Sequence, residues 1–313
     1  MLAILCPGQG SQTPGFLAPW LELPGARDHL TRLGQGAQLD LVEHGTVSDA
    51  DTIKDTAVAQ PLIVAAGLVS LGALLGAETA PDVAVWAGHS VGEITAAVAA
   101  GVIAEEPAME FVSARGRGMA AASAVTPTGM SAVLGGDQDE VLAVIEGHGL
   151  TPANVNGGGQ IVAAGTLEQL SALADDPPAK TRVIPLKVAG AFHTSHMASA
   201  VESLARLAGA ITPDDPVGTL LSNADGEAVT SGTDVVRRLV GQVSNPVRWD
   251  LCMSTMLDLG VTGLIEVSPA GTLVGLAKRA MKGVPAVALK KPEDLDAARD
   301  LIREHTATSH STN

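Results

Sequence analysis

One short segment constrains the fold of this chain more than any other: an apolar run that leads directly into a serine between two glycines. Residues 83–88 read VAVWAG, the pentapeptide GHSVG occupies residues 88–92, and a helix-forming run continues to about Gly101. A buried strand, the pattern G-x-S-x-G and a helix are typical of a nucleophile elbow, a turn so tight that larger residues in place of the glycines would collide. The segment therefore predicts that the Ser90 hydroxyl projects above the edge of a sheet.

Ser90 has a second interpretation, as the N-cap of the helix that follows. Serine is a favoured N-cap residue, and Glu93 stands three positions later, where it would complete a capping box. In a nucleophile elbow, by contrast, the backbone N–H of Val91 and the positive end of the helix point at whatever binds there, which stabilises an oxyanion. The strand before Ser90 and the helix after it favour the nucleophile.

Strands and helices alternate on both sides of this segment, which is typical of a parallel sheet covered by helices on both faces. Residues 2–7 (LAILCP) predict a buried strand, and a loop-rich stretch that contains His29 and His44 follows. Pro61 then opens an apolar helix that ends near Gly76. These elements predict an α/β core.

A second pattern interrupts this alternation in the middle of the chain. Between residues 130 and 188 the predicted order is β-α-β-β-α-β, the order of a ferredoxin-like unit, and the larger alternation resumes afterwards. We predict a core formed by residues 1–127 and 190–313, with an inserted ferredoxin-like subdomain formed by residues 128–189.

The composition argues against several classes of function. The net charge is −15 and aromatic residues make up only 2% of the chain, whereas nucleic-acid binding favours positive charge and, for single strands, aromatic platforms. The apolar stretch at residues 61–76 is too short to span a membrane, and the N-terminus lacks the basic leader of a signal peptide. Cys6 and Cys252 are expected to be free thiols in a reducing compartment. We predict a cytoplasmic protein that binds neither nucleic acid nor a membrane.

A serine nucleophile needs a base, and the segment GAFHTSHM at residues 190–197 contains the best candidates among the eight histidines. His193 lies in the loop that returns the chain to the core, so it can face the cleft between core and insertion. His196 stands at the start of a helix, and the geometry of the turn aims His89 away from its neighbour Ser90. None of the Asp and Glu residues between Ser90 and His193 lies in a loop that follows a strand and faces this cleft. The chain therefore lacks the acid of a plain Ser-His-Asp esterase.

Five motifs occur in order along the chain: PGQGSQ near the N-terminus, GHSVGE, RGRGM, GAFH, and NPVRW followed by EVSPAGTLVGLAKR. Together they closely resemble the malonyl-CoA:acyl-carrier-protein transacylases of fatty-acid synthesis, and the resemblance extends from Leu2 to about Lys291. It implies an α/β fold with an α/β-hydrolase-like parallel-sheet core and an inserted ferredoxin-like subdomain, in agreement with the organisation predicted above.

The resemblance also implies which residues carry the reaction. Ser90 matches the nucleophile, and His193 matches its general base and acid. The backbone carbonyl of Gln242 would accept the imidazole N–H in place of the missing acid. Gln9 would line the oxyanion hole together with the backbone N–H of Val91, and the loss of one such donor typically costs about 10²–10³-fold in rate.

Other matching positions concern the substrate. Arg115 matches the arginine that binds the malonyl carboxylate, because a planar guanidinium pairs with a carboxylate through two parallel hydrogen bonds. Phe192 would crowd the α-methyl of a methylmalonyl group, and methylmalonyl-selective relatives often carry Gln where this chain has Val91. Three polar residues near a glycine-rich turn are candidates to contact the pantetheine arm: Asn154, Asn156 and Gln160.

The implied function is the transfer of a malonyl group from malonyl-CoA to the phosphopantetheine thiol of holo acyl carrier protein, through a malonyl-serine ester and with ping-pong kinetics. We expect a monomer that binds no metal. We also expect no cofactor, because malonyl-CoA is a substrate. Two enzymatic alternatives stay open: a stand-alone acyltransferase of polyketide synthesis, and a serine thioesterase or esterase that uses water. A non-catalytic carrier-binding protein is a third, which intact Ser90, His193 and Arg115 argue against.

The carrier protein is acidic in this family, so docking on a chain of net charge −15 needs local positive charge. Two basic clusters are candidates for this surface: Arg237 and Arg238 on one helix, and Lys278, Arg279 and Lys282 at another.

Overall fold

Short, mostly apolar runs form the strands of two sheets in the computed structural model, which describes residues 1–76 and 83–310. In chain order the strands are β1 (Leu2–Cys6), β2 (Val83–Gly88), β3 (Thr128–Gly135), β4 (Thr151–Gly157), β5 (Gln160–Thr166), β6 (Thr181–Pro185), β7 (Thr219–Leu221), β8 (Ala228–Val229), β9 (Val247–Arg248), β10 (Gly263–Glu266) and β11 (Ala286–Ala288). The α-helices are α1 (Ala26–Ala37), α2 (Leu41–Thr46), α3 (Thr56–Leu75), α4 (Gly92–Ala99), α5 (Glu105–Ser123), α6 (Gln138–Gly147), α7 (Leu167–Asp175), α8 (Ala198–Ala208), α9 (Gly232–Gln242), α10 (Trp249–Asp258), α11 (Thr272–Ala280) and α12 (Leu295–His310).

The first sheet has six strands in the order β11-β10-β1-β2-β7-β8. Its neighbours pair in parallel except for β7 and β8, which are antiparallel. Because side chains alternate along a strand, Leu2 and Ile4 of β1 pack into the apolar core on one face, while Ala3 and Leu5 pack into the core on the other. Both faces are buried, as is usual for parallel strands, and the carboxyl ends of β1, β2 and β7 meet at one edge.

The second sheet has five strands in the order β6-β3-β5-β4-β9. Strands β3 to β6 come from one stretch of the chain and pair antiparallel, and with α6 and α7 they enclose an apolar core of their own. The fifth strand, β9, comes from much later in the chain and pairs in parallel with β4, with Val247 opposite Asn154. The protein therefore has a mixed α/β fold with two sheets.

The stretch that follows β1 differs from the loop-rich segment that the sequence predicts. Helices α1 and α2 lie there, and His29 and His44 belong to them. Helix α1 contains two glycines, which weaken a helix in isolation, but Gly36 packs closely on Met109 of α5. Tertiary packing of this kind stabilises most helices in proteins, and a local sequence pattern does not reveal it.

Helix α3 begins earlier than the sequence predicts, at Thr56 instead of Pro61, because the Asp55 side chain accepts a hydrogen bond from the Ala57 N–H at 2.8 Å and caps the helix. With 20 residues α3 is long and apolar enough to cross a membrane, but 78% of its most apolar window is buried inside the protein. It packs in the main core against α1 and α5.

Candidate active site

The chain turns sharply at Ser90, directly after β2. Ser90 has a φ of +52°, in the left-handed region, where a non-glycine residue costs on the order of 1–3 kcal/mol. A Cβ on Gly88 would lie 2.1 Å from the backbone of Gly92, and a Cβ on Gly92 would lie 2.1 Å from the carbonyl oxygen of Cys6. The collision predicted from the sequence is therefore confirmed at both glycines.

The Ser90 hydroxyl lies against an imidazole from a distant part of the chain. Ser90 Oγ is 2.7 Å from His193 Nε2, and His193 Nδ1 is 2.9 Å from the backbone carbonyl oxygen of Gln242. Because a carbonyl oxygen can only accept a hydrogen bond, Nδ1 carries the proton and Nε2 presents its lone pair to the serine hydroxyl. This arrangement can move a proton from Ser90 to His193.

Burial and two neighbouring side chains, Arg115 and His89, lower the pKa of His193 to about 3. The largest effect is burial, since the side chain is 3% exposed and an imidazolium would lose its hydration. The second is the positive charge of the nearby Arg115 guanidinium. His193 is therefore neutral at pH 7, which is the form that can accept a proton.

Arg115 extends from α5 to the same hydroxyl. Its Nη2 donates to Ser90 Oγ at 3.3 Å and to Gln242 Oε1 at 2.7 Å, and its Nη1 donates to Gln60 Oε1 at 2.6 Å. The side chain is 1% exposed, and burial lowers its pKa to about 10, so Arg115 is still a cation at pH 7. A buried guanidinium beside a hydroxyl stabilises an alkoxide and can also bind a carboxylate.

Behind the turn lies a group of buried polar residues, of which Asn223 and Glu93 were not assigned to the site from the sequence. Asn223 Oδ1 accepts a hydrogen bond from the Ser90 N–H at 2.7 Å, and the Asn223 N–H donates to Glu93 Oε1 at 2.6 Å. Gln242 Nε2 donates to the other Glu93 oxygen. In the sequence, Asn223 stands out only as a polar residue just after the apolar strand β7. Gln60 stands out only as a single amide within the apolar run of α3.

These contacts do not match the N-cap interpretation of Ser90. The N-cap residue of α4 is Val91, and no side chain caps this helix. The Ser90 hydroxyl bonds to His193 instead, and the Glu93 carboxylate bonds to Asn223 and Gln242. Burial raises the pKa of Glu93 to about 7, so this carboxyl group titrates near neutral pH.

Ser90 opens into a cavity of about 430 Å³ between the first sheet and the second. Among the residues that line it are Gln9, Lys54, Gln60, His89, Ser90, Val91, Met130, Asn154, Asn156, Gln160, Lys187, Phe192, His193 and Leu276. All the residues assigned to oxyanion and substrate roles from the sequence line this cavity except Arg115, which reaches Ser90 from within the core.

The polar residues on the second sheet differ in their bonding. Asn156 Oδ1 is 2.8 Å from His89 Nε2, and Asn156 Nδ2 donates to Gln160 Oε1 at 3.0 Å. His89 is thus turned away from Ser90, as the sequence predicts. Asn154 is 8% exposed, and its Oδ1 has no hydrogen-bond partner in the described part of the chain. On the first sheet's side, Gln9 Nε2 donates to the Lys54 carbonyl oxygen at 3.3 Å.

Comparison with known proteins identifies the chain as an acyltransferase. Residues 4–311 match the acyl transferase domain family, and the chain belongs to this family. It is 54% identical over 303 residues to the malonyl CoA-acyl carrier protein transacylase of Mycobacterium tuberculosis, covering 96% of this chain and 100% of that protein.

Solved structures agree with this assignment. The crystal structure of MCAT from Mycobacterium tuberculosis superposes with a TM-score of 0.90 and 52% identity, covering 95% of this chain and 99% of that one. A malonyl-transacylase in complex with its type II PKS acyl-carrier protein superposes with a TM-score of 0.87 and 28% identity, covering 96% of this chain and 99% of that one.

Proposed function

We propose that this protein transfers malonyl groups from malonyl-CoA to the phosphopantetheine thiol of an acyl carrier protein and thereby supplies fatty-acid synthesis. The observation that carries the proposal is a chain of three contacts: the Ser90 hydroxyl lies against His193 Nε2 and Arg115 Nη2, and His193 Nδ1 lies against the Gln242 carbonyl. They combine an activated nucleophile with a cation for the far carboxylate of a malonyl group.

The first half-reaction forms an ester on Ser90. Ser90 Oγ attacks the thioester carbonyl carbon while His193 Nε2 takes the hydroxyl proton. The backbone N–H of Val91 stabilises the oxyanion, and Gln9 completes that site. The carbon–sulfur bond then breaks, His193 returns its proton to the CoA sulfur, and a malonyl-serine ester is left. In the second half-reaction the carrier thiol attacks this ester by the reverse steps.

Arg115 gives the site a preference for a dicarboxylic acyl group. Its positive charge lowers the pKa of His193 and so weakens the imidazole as a base. A malonyl carboxylate paired with Arg115 neutralises that charge, which makes His193 more basic when the correct substrate is bound. An acetyl group lacks the carboxylate and leaves His193 weakly basic. Phe192, which is buried at the cavity, adds a steric limit on α-methyl groups.

The last turn of α11 supplies the surface on which the carrier docks. Leu276 of this helix lines the cavity, and Arg279, one turn later, packs against Gly158 in the turn between β4 and β5. Lys278 and Arg279 are exposed, and neither forms an ion pair within the ranges 1–76 and 83–310.

The other basic cluster is already neutralised within the protein. Arg237 pairs with Asp234, and Arg238 pairs with both Asp225 and Asp234. Free cations beside the cavity suit an acidic carrier better than paired arginines. We therefore expect Arg279→Glu to raise KM for the carrier roughly 10-fold without slowing acylation by malonyl-CoA, while Arg237→Glu has a small effect. Equal effects on both half-reactions would contradict this docking surface.

The central test is intact-mass analysis of the protein after mixing with malonyl-CoA. We expect one malonyl adduct per chain, its absence in Ser90→Ala, and its discharge when holo acyl carrier protein is added. Rapid release of free malonate without any carrier would instead indicate the thioesterase or esterase alternative. Because a similar malonyl-transacylase is known in complex with a type II PKS carrier, a role in polyketide synthesis stays an alternative. Comparing the rate at which fatty-acid and polyketide carriers discharge the adduct distinguishes the two pathways.

In this proposal the protein acts as a cytoplasmic monomer without a metal or cofactor. Its α/β-hydrolase-like core consists of residues 1–127 and 190–313, and residues 128–189 form the ferredoxin-like subdomain. The strand order β6-β3-β5-β4 supports the second assignment, because a β-α-β-β-α-β unit of this type has its first and third strands in the centre of the sheet.

A further inference from the structure

The turn at Ser90 is bridged by one side chain from 133 residues later. Asn223 Oδ1 accepts a hydrogen bond from the Ser90 N–H, and Asn223 Nδ2 donates one to the Gly88 carbonyl oxygen, each at 2.7 Å. A side-chain amide has an acceptor and a donor side by side, so Asn223 binds the chain on both sides of His89 at once. The two hydrogen bonds of Asn223 fix the distance between the Gly88 carbonyl and the Ser90 N–H, the backbone groups on either side of the bend.

The fold explains why Asn223 lies at this point. Strand β7 pairs in parallel with β2, with Leu220 opposite Trp86, so the two strands end at the same edge of the sheet. Asn223 follows β7 by two residues and is fully buried. Its own backbone is also fixed, because its N–H donates to Glu93 Oε1 at 2.6 Å and its carbonyl accepts from the Arg248 N–H at 2.8 Å.

The same network continues to the base and the cation of the site. Glu93 accepts a second hydrogen bond from Gln242 Nε2. The Gln242 carbonyl accepts from His193 Nδ1, and Gln242 Oε1 accepts from Arg115 Nη2. A displacement of Asn223 would therefore alter both the turn and the support of the groups that contact the Ser90 hydroxyl.

We propose that Asn223 is a positioning residue: its amide fixes the left-handed turn so that Ser90 Oγ lies between His193 and Arg115, and Glu93 fixes Asn223. This inference rests on the proposed function, since it takes Ser90 to be the acylated residue. Asn223 does not line the cavity and acts only through Ser90. Without its amide, the Ser90 N–H and the Gly88 carbonyl lose their partner, and the strained φ of +52° can relax.

The test is rapid-quench mass analysis of malonyl-serine formation, which gives both the rate constant and the final amount of adduct. Asn223→Leu removes both hydrogen bonds at similar volume. We expect the rate constant to fall about 100-fold, the effect of a misplacement of roughly 1 Å, while the final adduct stays near one malonyl group per chain and KM for malonyl-CoA changes less than about 3-fold. A residue that only stabilises the fold would instead lower the amount of adduct and leave the rate constant unchanged.

Two further variants complete the experiment. Ser222→Ala is the matched control, because the Ser222 hydroxyl accepts from the Ala224 N–H at 3.3 Å and does not contact the turn, so a wild-type rate constant is expected. Asn223→Asp keeps the acceptor for the Ser90 N–H but places an oxygen against the Gly88 carbonyl, so an intermediate rate constant is expected. If Asn223→Leu does not fold, the acylation rate constant of Asn223→Asp alone tests the positioning role.

The outcomes separate the two proposals. Wild-type rate constants in the folded Asn223 variants would overturn the positioning role while leaving the proposed function intact. The absence of any adduct on the wild-type protein would refute the proposed function and, with it, the role of Asn223.

Discussion

The two sides of the active site differ in how their polar side chains are bonded. The core wall consists of the polar residues behind and beside the Ser90 hydroxyl: Glu93, Arg115, His193, Asn223 and Gln242. The sheet wall consists of the polar residues of the second sheet that line the cavity: Asn154, Asn156 and Gln160. In the core wall the carboxylate, the imidazole and both amides are bonded to one another or to the turn. Two buried polar atoms of these walls have no partner among the described residues: Asn154 Oδ1 in the sheet wall and the guanidinium Nε of Arg115 in the core wall.

This difference indicates a division of labour. Groups that are fixed before the substrate arrives do not have to reorganise during the reaction, which is how preorganised sites lower a barrier. A buried acceptor without a partner costs free energy that a bound ligand can restore. Changes in the core wall should therefore lower kcat, whereas changes in the sheet wall should raise KM. The following predictions test that division, beginning with the largest effect.

The largest effect is expected from the base of the core wall. His193→Ala removes the proton acceptor at 2.7 Å from Ser90 Oγ, and general-base catalysis is worth about 10²–10⁴-fold. We expect kcat to fall by about 10³-fold with little change in KM for malonyl-CoA, measured by steady-state transfer to holo carrier. His196→Ala in the same segment should retain wild-type kinetics. A rise in KM with unchanged kcat would contradict the division between the walls.

The core wall should also give the protein a pH-dependent stability, which the uncharged sheet wall cannot. Burial raises the pKa of Glu93 to about 7, from the 4.5 that is usual for a solvated glutamate. Between these values folded Glu93 keeps a proton that the unfolded chain releases, so this group's contribution to stability is complete below pH 4.5 and is lost as the pH rises to 7. At about 1.4 kcal/mol per pKa unit, the loss is about 3 kcal/mol.

The measurement compares wild type with Glu93→Gln, whose amide does not titrate. Urea unfolding at several pH values should show the free energy of unfolding of the wild type falling relative to that of the variant between pH 4.5 and 7, and a constant difference above that. Arg115 and Arg238, whose positive charges act on Glu93, stay cationic over this range. A difference that is constant from pH 4.5 upwards would show that Glu93 has its ordinary pKa.

A smaller effect is expected where the core wall meets the substrate. Arg115→Lys keeps a positive charge but loses the planar pair of donors, and a hydrogen bond to a charged group is worth about 1.5–3 kcal/mol. We expect kcat/KM for malonyl-CoA to fall on the order of 10–100-fold, with a smaller loss for acetyl-CoA, in a competition assay with both thioesters. Arg117→Lys, two residues away on the same helix, is the matched control. An equal fall in kcat/KM for malonyl-CoA and acetyl-CoA would show that Arg115 does not recognise the malonyl carboxylate.

The sequence allowed the elbow to be predicted but not the network behind it. Strand β2, the two glycines and α4 are contiguous in the sequence, so local sterics determine the turn at Ser90. The Asn223 contact depends on β7 pairing beside β2, which no local pattern encodes. The Gln242 carbonyl could be assigned only from the family resemblance, because every residue has a backbone carbonyl and its use is decided by tertiary structure.

The smallest effect tests the sheet wall directly. Asn154→Leu replaces the unpartnered Oδ1 with an apolar group of similar size, which removes an acceptor that a pantetheine amide N–H could use and also removes the cost of burying it. Since a neutral hydrogen bond contributes about 1 kcal/mol, KM for malonyl-CoA should rise roughly 5-fold with kcat unchanged, and KM for the carrier should rise by the same factor because both substrates carry a pantetheine arm. The free protein should become more stable to urea, since the orphaned acceptor is gone. A loss of kcat in this variant would mean that the sheet wall helps to position the reacting groups, and the division between chemistry on one wall and binding on the other would not hold.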